Sequence, residues 1–280
     1  MDRIVDSELE LRERIHTMRL RGEHLGFVPT MGALHAGHMA LVESAKARCR
    51  HVVVSIFINP LQFAAHEDLG SYPRQLERDT DLLRDAGVDL IYLPQADQIY
   101  PTAFSTTVTV NGVSEGLCGA VRPHHFSGVA TIVAKLLNQV LPDAAFFGEK
   151  DYQQLKVIER MVADLSIPVQ IIPVPTMREA DGLALSSRNC YLNEAERKIA
   201  PALYQTLVQC AKRIVAGEST TSALAWAEGQ VLAAGFSRTD YIELRDAQTL
   251  KPMADYKAPA RLLAAAYLGK TRLIDNIAVE

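Results

Sequence analysis

The run Leu25-Gly26-Phe27-Val28-Pro29-Thr30-Met31-Gly32-Ala33-Leu34-His35-Ala36-Gly37-His38 decides how the rest of the chain is read. Leu25 to Val28 is a short apolar stretch, and beyond the run Met39, Leu41, Val42 and Ala45 recur at helical spacing. The layout is strand, glycine-punctuated turn, helix, with two imidazoles at the turn. A turn of this kind aims the helix's first N–H groups, and the positive end of its dipole, out of the sheet edge. An anion is the natural guest there. His35 and His38, three residues apart, share a helical face and can both donate to one phosphate. The pair also fits two surface histidines or two zinc ligands. Zinc is the weaker alternative, because no cysteine or carboxylate lies close enough in sequence to complete a local site. Neither G-x-x-x-x-G-K-[ST] nor a G-x-G-x-x-G after a strand occurs in the chain. A kinase-type P-loop and a dinucleotide fingerprint are therefore unsupported.

Outward from this turn the chain alternates strand and helix. Before it, Ser7-x-x-Glu10 is a capping box that opens a helix through Leu11, Ile15 and Met18. After it, His51 to Ile58 is a continuous apolar, β-branched run, the pattern of a strand buried on both faces of a parallel sheet. That strand ends in Asn59-Pro60-Leu61-Gln62-Phe63, where Pro60 stops pairing and leaves a loop at the carboxyl edge, the edge at which open α/β sheets bind ligands. The amide of Gln62 offers a donor and an acceptor together, which suits a hydroxy acid; a solvated loop glutamine is the alternative. A helix follows over about Pro73–Ala86, with Arg74, Glu77, Arg78, Asp81, Arg84 and Asp85 as its solvated side. Val88–Leu93 reads as a strand, and Thr106–Val110 as a further strand or hairpin edge.

Ala144–Phe147 and the helix from Asp151 make a second strand–turn–helix, whose turn carries Gly148-Glu149-Lys150-Asp151. A lysine at a helix N-terminus opposes the dipole, which makes sense if a polyanion sits between them, though a solvated lysine also fits. Gln154 lies one turn on and points the same way. After a strand over Val169–Val174, the segment Met177 to Asn189 has the small, polar and glycine-rich content of a mobile loop. Ser186-Ser187-Arg188 in it offers two hydroxyls and a guanidinium, a plausible phosphate clamp. Asn193-x-x-Glu196 caps a helix expected to run to about Val215. A helix over Ser222–Ala234 and three strand-like runs complete the chain, which suggests a separate α+β domain.

Four ordered blocks between Gly26 and Leu192 resemble the pantoate–β-alanine ligase family of the H-x-G-H nucleotidyltransferase superfamily. They are the ten-residue Pro29–His38, Asn59-Pro60-x-Gln62-Phe63, Gly148–Gln154, and Arg178-Glu179-x-Asp181-Gly182-Leu183-Ala184-Leu185-Ser186-Ser187-Arg188-Asn189. In the last block Leu185 stands where methionine is usual, a volume-conserving exchange. Arg122-Pro123-x-His125-Phe126-x-Gly128 is similar to a further family block, with His124 and Ser127 at its variable positions. The resemblance implies a Rossmann-like parallel-sheet nucleotidyltransferase domain over residues 1–176 and a smaller α+β lid domain over 177–280.

It also implies the chemistry: ATP-dependent condensation of pantoate with β-alanine through pantoyl adenylate, releasing pyrophosphate and then AMP. Transfer to another small acid or phosphate acceptor is the alternative. By the same resemblance, Met31, Gly32, Ala33, Leu34, His35, Ala36, Gly37 and His38 bind ATP, as do Gly148, Glu149, Lys150, Asp151, Met177, Leu185, Ser186, Ser187 and Arg188. His38, His35, Lys150 and Arg188 act in catalysis, and Gln62 and Gln154 hold pantoate. Asn59 and Tyr72 match family positions too, while Arg122 and His125 touch substrate or a partner subunit, or serve structure. Mg²⁺ is expected with ATP, without a nameable ligand, and a homodimer is expected.

Composition is compatible with all of this. At 280 residues, 48% hydrophobic and 22% charged, the chain can bury a full core. A net charge of -4 gives no basic footprint for nucleic acid. Cys49, Cys118, Cys190 and Cys210 are scattered, without C-x-x-C, which argues against a disulfide framework and suits a reducing compartment. Cys190, beside the mobile loop, reads as a packing residue before a nucleophile. The start, Met1 to Asp6, lacks a basic-then-apolar targeting layout, and no apolar stretch is long enough to span a bilayer. A cytoplasmic enzyme with small-molecule substrates is expected.

Overall fold

The structure, a computed structural model, describes residues 3–20, 22–64 and 69–280; Met1 and Asp2 of the N-terminal run read above lie outside it. The elements in order are β1 (Ile4–Val5), α1 (Glu8–Arg19), β2 (Leu25–Thr30), α2 (Ala36–Arg48), β3 (His51–Ile56) and α3 (Leu76–Asp85). Then come β4 (Leu90–Tyr92), α4 (Ala96–Ile99), α5 (Leu117–Val121), α6 (His125–Val140), β5 (Ala144–Gly148), α7 (Tyr152–Asp164) and β6 (Gln170–Val174). The chain closes with α8 (Glu194–Ile199), α9 (Ala202–Val215), α10 (Thr220–Ala233), β7 (Arg238–Asp246), β8 (Ala260–Leu268) and β9 (Thr271–Val279). Two compact units emerge. One comprises Met1–Val110, Arg122–Glu149 and Val157–Pro175, the other Asn111–Val121, Lys150–Lys156 and Thr176–Glu280.

The first unit is built on a six-stranded parallel sheet in the order β1-β4-β3-β2-β5-β6, the Rossmann-like architecture expected. β2 is the point of reversal: β3 lies on one side of it and β5 on the other. Loops leaving β2 and β5 at their carboxyl ends therefore border the crevice where a doubly wound sheet binds ligands. β5 pairs with β2 only at Gly26 and Phe27, so the two strands have parted before Pro29, a residue with no N–H to give to a ladder. Val28, Leu34, Val42, Val52, Val54, Leu83, Ile91 and Phe146 form one continuous core among the strands, α2 and α3. The continuous apolar run in β3 is explained by burial: Val52, Val53 and Val54 are each at most 1% exposed. Ser7 caps α1 as its spacing predicts, its hydroxyl accepting from the Glu10 N–H.

One expected strand is absent. Thr106–Val110 forms no ladder; the Val108 N–H donates instead to the Thr131 hydroxyl on α6, 2.9 Å away. β-branched residues supplied strand propensity, but the donor a ladder needs was taken by a helix side chain.

In the second unit β7, β8 and β9 form an antiparallel sheet with β8 central. Leu203, Leu207, Cys210 and Ile214 of α9, and Ala223, Ala227 and Val231 of α10, pack in one core with Leu244, Leu262, Ala264, Ala266 and Leu273 of the strands. Asn193 and Glu196 cap α8 reciprocally, as their spacing predicts. The single helix expected from there to Val215 is two, because Pro201 interrupts the hydrogen-bond ladder between α8 and α9. Among the described residues no helix is long and apolar enough to cross a membrane.

Phe27, fully buried in β2 where it pairs with both neighbouring strands, tests the central sheet. Phe27→Ala is expected to lower the unfolding free energy by about 3–5 kcal/mol. Urea denaturation with an unchanged slope would establish the loss as one of native-state packing.

Candidate active site

The central turn is fixed from below by a carboxylate that its own motif does not contain. Asp79, on α3 and 1% exposed, accepts from the N–H of Ala33 at 2.7 Å and of Leu34 at 2.9 Å. Gly32 and Ala33 both lie in the left-handed region, with φ of 80° and 50°. A Cβ on Gly32 would sit 3.1 Å from Asp79 Oδ2 and 3.1 Å from Ile56 Cγ2, so glycine serves both the backbone angle and the close approach. The N–H groups of the turn that precede α2 thus have a partner of their own, apart from the helix's first N–H groups.

The histidines complete the arrangement. His35 is the N-cap of α2 and His38 its third residue; His35 Nδ1 accepts from the Gly37 N–H at 3.1 Å, and His38 Nδ1 accepts from the His35 N–H at 3.3 Å. The two rings lie with centroids 4.1 Å apart and planes tilted by 41°. A ring whose Nδ1 accepts must carry its neutral-form proton on Nε2. Reciprocal capping therefore presets both imidazoles as Nε2–H donors. Met31, Ala36 and Gly37 complete the segment, with Ala36 exposed and the other two half-buried.

Gln62 sits in a 3-10 turn, Pro60–Gln62, beyond the end of β3. Its Oε1 accepts from Asn59 Nδ2 at 3.1 Å, and its Nε2 lies 3.0 Å from Met31 Sδ. Its backbone carbonyl accepts from His125 Nδ1 at 2.9 Å and from Arg122 at 3.4 Å, and Arg122 donates in turn to His125 Nε2 at 3.2 Å. Of the alternatives open for Arg122 and His125, these contacts favour a structural one: they brace the Gln62 backbone. Asn59, 1% exposed, also donates to the Gly128 carbonyl and accepts from the Tyr100 hydroxyl. Burial pushes that tyrosine's pKa well up, so it remains a donor at neutral pH. Gly128 is required by contact: a Cβ there would fall on the Leu61 carbonyl and 2.8 Å from the Gln62 nitrogen. Tyr72 is buried edge-on against Phe63.

β2 and β5 are parallel neighbours, so Gly148 and Glu149 leave the sheet at the edge that bears the histidine turn. Lys150 and Asp151 belong to the second unit, where Lys150 Nζ lies 3.9 Å from Asp151 Oδ2 and is largely covered. Gln154 is half-buried on α7. Its neighbour Gln153 organises the 113–118 segment, accepting from the Cys118 N–H and donating to the carbonyls of Val113 and Gly116.

The segment from Met177 to Asn189, expected as a mobile loop, is a small hairpin that leads into the 3-10 turn Ser187–Tyr191. Arg178 and Ala184 bridge, and the Leu185 N–H donates to the exposed Met177's carbonyl at 2.9 Å. Ser186 caps the turn Ser187–Tyr191 by accepting from the Arg188 N–H. Asn189 ties the turn back to the Ala184 carbonyl. Arg197 closes the hairpin by binding Glu179 and Asp181, each at 2.6 Å. The Arg197 hydrogen bond holds the Asp181 carboxyl below its ordinary value. Cys190 is exposed, and its thiol donates to the Ser187 carbonyl. Among the described residues, no three His, Cys, Asp or Glu side chains gather as a metal site.

Sequence reading missed Asp79 because it shares a helix with five charged residues, Glu77, Arg78, Asp81, Arg84 and Asp85, that are indeed exposed. A signal was available: Asp79 and Leu83 are four apart, so the acid lies on the buried face with the leucine.

A family model described as pantoate-beta-alanine ligase matches residues 3–278. A pantothenate synthetase from Rhodospirillum rubrum is 51% identical over 277 residues, 99% of this chain and 98% of that protein. One from Pseudomonas aeruginosa is 54% identical over 273 residues, covering 97% and 96%. The crystal structure of pantothenate synthetase from Thermus thermophilus superposes with a TM-score of 0.94 at 48% identity, covering 99% of each chain. That of a pantoate-beta-alanine ligase from Francisella tularensis, complexed with beta-gamma ATP and beta-alanine, gives 0.81 at 35% identity, covering 98% and 97%.

Two outcomes follow from this geometry. Asp79→Ala strands the N–H groups of Ala33 and Leu34 and is expected to lower unfolding free energy by about 2–4 kcal/mol, measured by urea denaturation. Asp181→Asn tests the hairpin closure by pH. Because the folded carboxyl titrates below its ordinary 3.8, the wild-type advantage is present above pH 3.8 and fades as pH falls beneath it. Melting curves of the two proteins should therefore separate near neutrality and converge in acid.

Proposed function

The chain belongs to the pantoate–β-alanine ligase family, and from that premise we propose that it condenses pantoate and β-alanine, using ATP, in two steps. In the first, a pantoate carboxylate oxygen attacks the α-phosphorus of ATP and the bond to pyrophosphate breaks. In the second, the β-alanine amine attacks the acyl carbon of pantoyl adenylate, AMP leaves, and the amine loses a proton. The observation that carries this reading is the reciprocal capping of His35 and His38, which presents two Nε2–H donors from a rigid turn. Donors preset in this way stabilise the phosphate charge that develops in the transition state without reorganising.

We assign His38 as proton donor to the reacting phosphate and His35 as its companion. Lys150, Ser186, Ser187 and Arg188 hold the triphosphate. Met31 to Gly37, Gly148, Glu149, Asp151, Met177 and Leu185 contribute backbone and packing around the nucleotide. Gln62 and Gln154 hold pantoate. The brace of Asn59, Arg122 and His125 on Gln62 supports that role, because a pantoate contact needs a fixed amide. Magnesium enters as part of the MgATP substrate. Residues 177–280 act as a lid that keeps water from the acyl phosphate, and the enzyme works as a cytoplasmic homodimer.

Pyrophosphate–ATP isotope exchange with pantoate, Mg²⁺ and no β-alanine tests the reading. Wild type is expected to exchange only when pantoate is present, and His38→Ala to lose about 10²–10³-fold of the rate. Exchange independent of pantoate would move the reading to another acid acceptor. No exchange with any acid, despite ATP binding, would overturn catalysis altogether.

A further inference from the structure

Two adjacent side chains on β9, Asp275 and Asn276, reach the Lys150 turn and the hairpin bridged at Arg178 and Ala184 from opposite faces of one strand. They are 5% and 3% exposed and belong to none of the blocks assigned to ATP. Successive residues of a strand point to opposite faces. On one face Asn276 Nδ2 donates to the Lys150 carbonyl at 2.9 Å, while its Oδ1 accepts from Arg261 Nε at 2.7 Å. Arg261 in turn stacks 4.0 Å above the ring of Tyr152, two residues after Lys150. On the other face Asp275 takes the guanidinium fork of Arg178, with contacts of 2.6 and 2.8 Å. Arg178 also donates to the Gly182 carbonyl at the hairpin's turn and lies 3.7 Å over the ring of Tyr204 on α9, so it ties the hairpin to both β9 and α9.

The residue types are specific to these tasks. The amide of Asn276 donates to the Lys150 carbonyl with Nδ2 and accepts from Arg261 with Oδ1, using separate atoms of one side chain. Only a carboxylate matches the two parallel donors of Arg178. The carbonyl of Lys150 fixes where its side chain leaves the chain. The hairpin fixes where Ser186 to Arg188 begin, since the Leu185 N–H closes on Met177 immediately before them.

We propose that Asp275 and Asn276 are positioning residues that set the Lys150 ammonium and the Ser186–Arg188 turn in mutual register for one triphosphate. The proposal rests on the phosphate-binding role given above to those residues. Asn276 acts through Lys150, and Asp275 acts through Arg178. Neither touches substrate.

The test is steady-state kinetics of Asn276→Asp, with each substrate varied in turn, alone and combined with Lys150→Ala. Asn276→Asp keeps an acceptor for Arg261, whose guanidinium offsets the added charge, and replaces the donor to the Lys150 carbonyl with an acceptor. It is expected to raise the KM for ATP about tenfold, with pantoate and β-alanine KM within about twofold and the melting temperature near wild type. In the Lys150→Ala background it should add less than about twofold, because the group it positions is gone. Asp275→Asn should raise the ATP KM likewise and retain its effect in that background. A wild-type ATP KM in Asn276→Asp, beside an impaired Lys150→Ala, would overturn the inference alone. So would three KM values rising together with a fallen melting temperature, the signature of a merely structural role. If Lys150→Ala itself leaves ATP kinetics unchanged, the assignment of Lys150 fails and takes the inference with it.

Discussion

The carboxylate of Asp79 beneath the central turn is the constraint on which the site depends. A strand that enters a helix through Gly32 and Ala33, both left-handed, leaves N–H groups pointing into the protein, where water cannot serve them. Asp79 binds two of these, at Ala33 and Leu34. With the turn held, α2 begins at a fixed place, and its first residues are capped by the imidazoles themselves. A group with catalytic potential thus doubles as a structural cap, and the tautomer it needs as a donor is the one the cap imposes. The anion-seeking character of a helix N-terminus is met internally in part, by the imidazole of His35 on the Gly37 N–H.

A common device recurs beyond the turn. Residues named as site candidates are braced largely through their backbones, mostly by residues distant in sequence. His125, Arg122 and the absent Cβ of Gly128 fix the backbone of Gln62, and Asn59 orients its amide. Asn276 fixes the carbonyl of Lys150, and Asp275 fixes the hairpin before Ser186 through Arg178. Holding a residue by its main chain removes much of the disorder that would blunt positioning. In each unit the brace comes from a distant part of the sequence: α3 and α6 in the first, β9 in the second.

The thiols follow the same division between core and site. Cys210 is buried on α9 against α10, and burial pushes its pKa up to about 11, so it stays a neutral packing group at physiological pH. Cys49 is shifted the same way by burial and by Asp143. The scattered cysteines that spacing read as unpaired are all free thiols.

Much of the architecture was legible because it depends on local pattern. The apolar run of β3, the Ser7 and Asn193 caps, and the strand–turn–helix at His35 and His38 each rest on a few consecutive residues whose periodicity or capping chemistry is visible in a line of sequence. The family blocks added the activity, since ten residues in fixed order carry more information than any spacing. What the sequence could not determine was which donors and acceptors meet across long separations. Thr106–Val110 has strand composition, yet Thr131 takes its donor; Asp79 lies among surface charges, yet is buried 45 residues and more from the N–H groups it binds. Those outcomes depend on a competition among partners that only the folded chain brings within hydrogen-bond distance, and so the tertiary structure alone decided them.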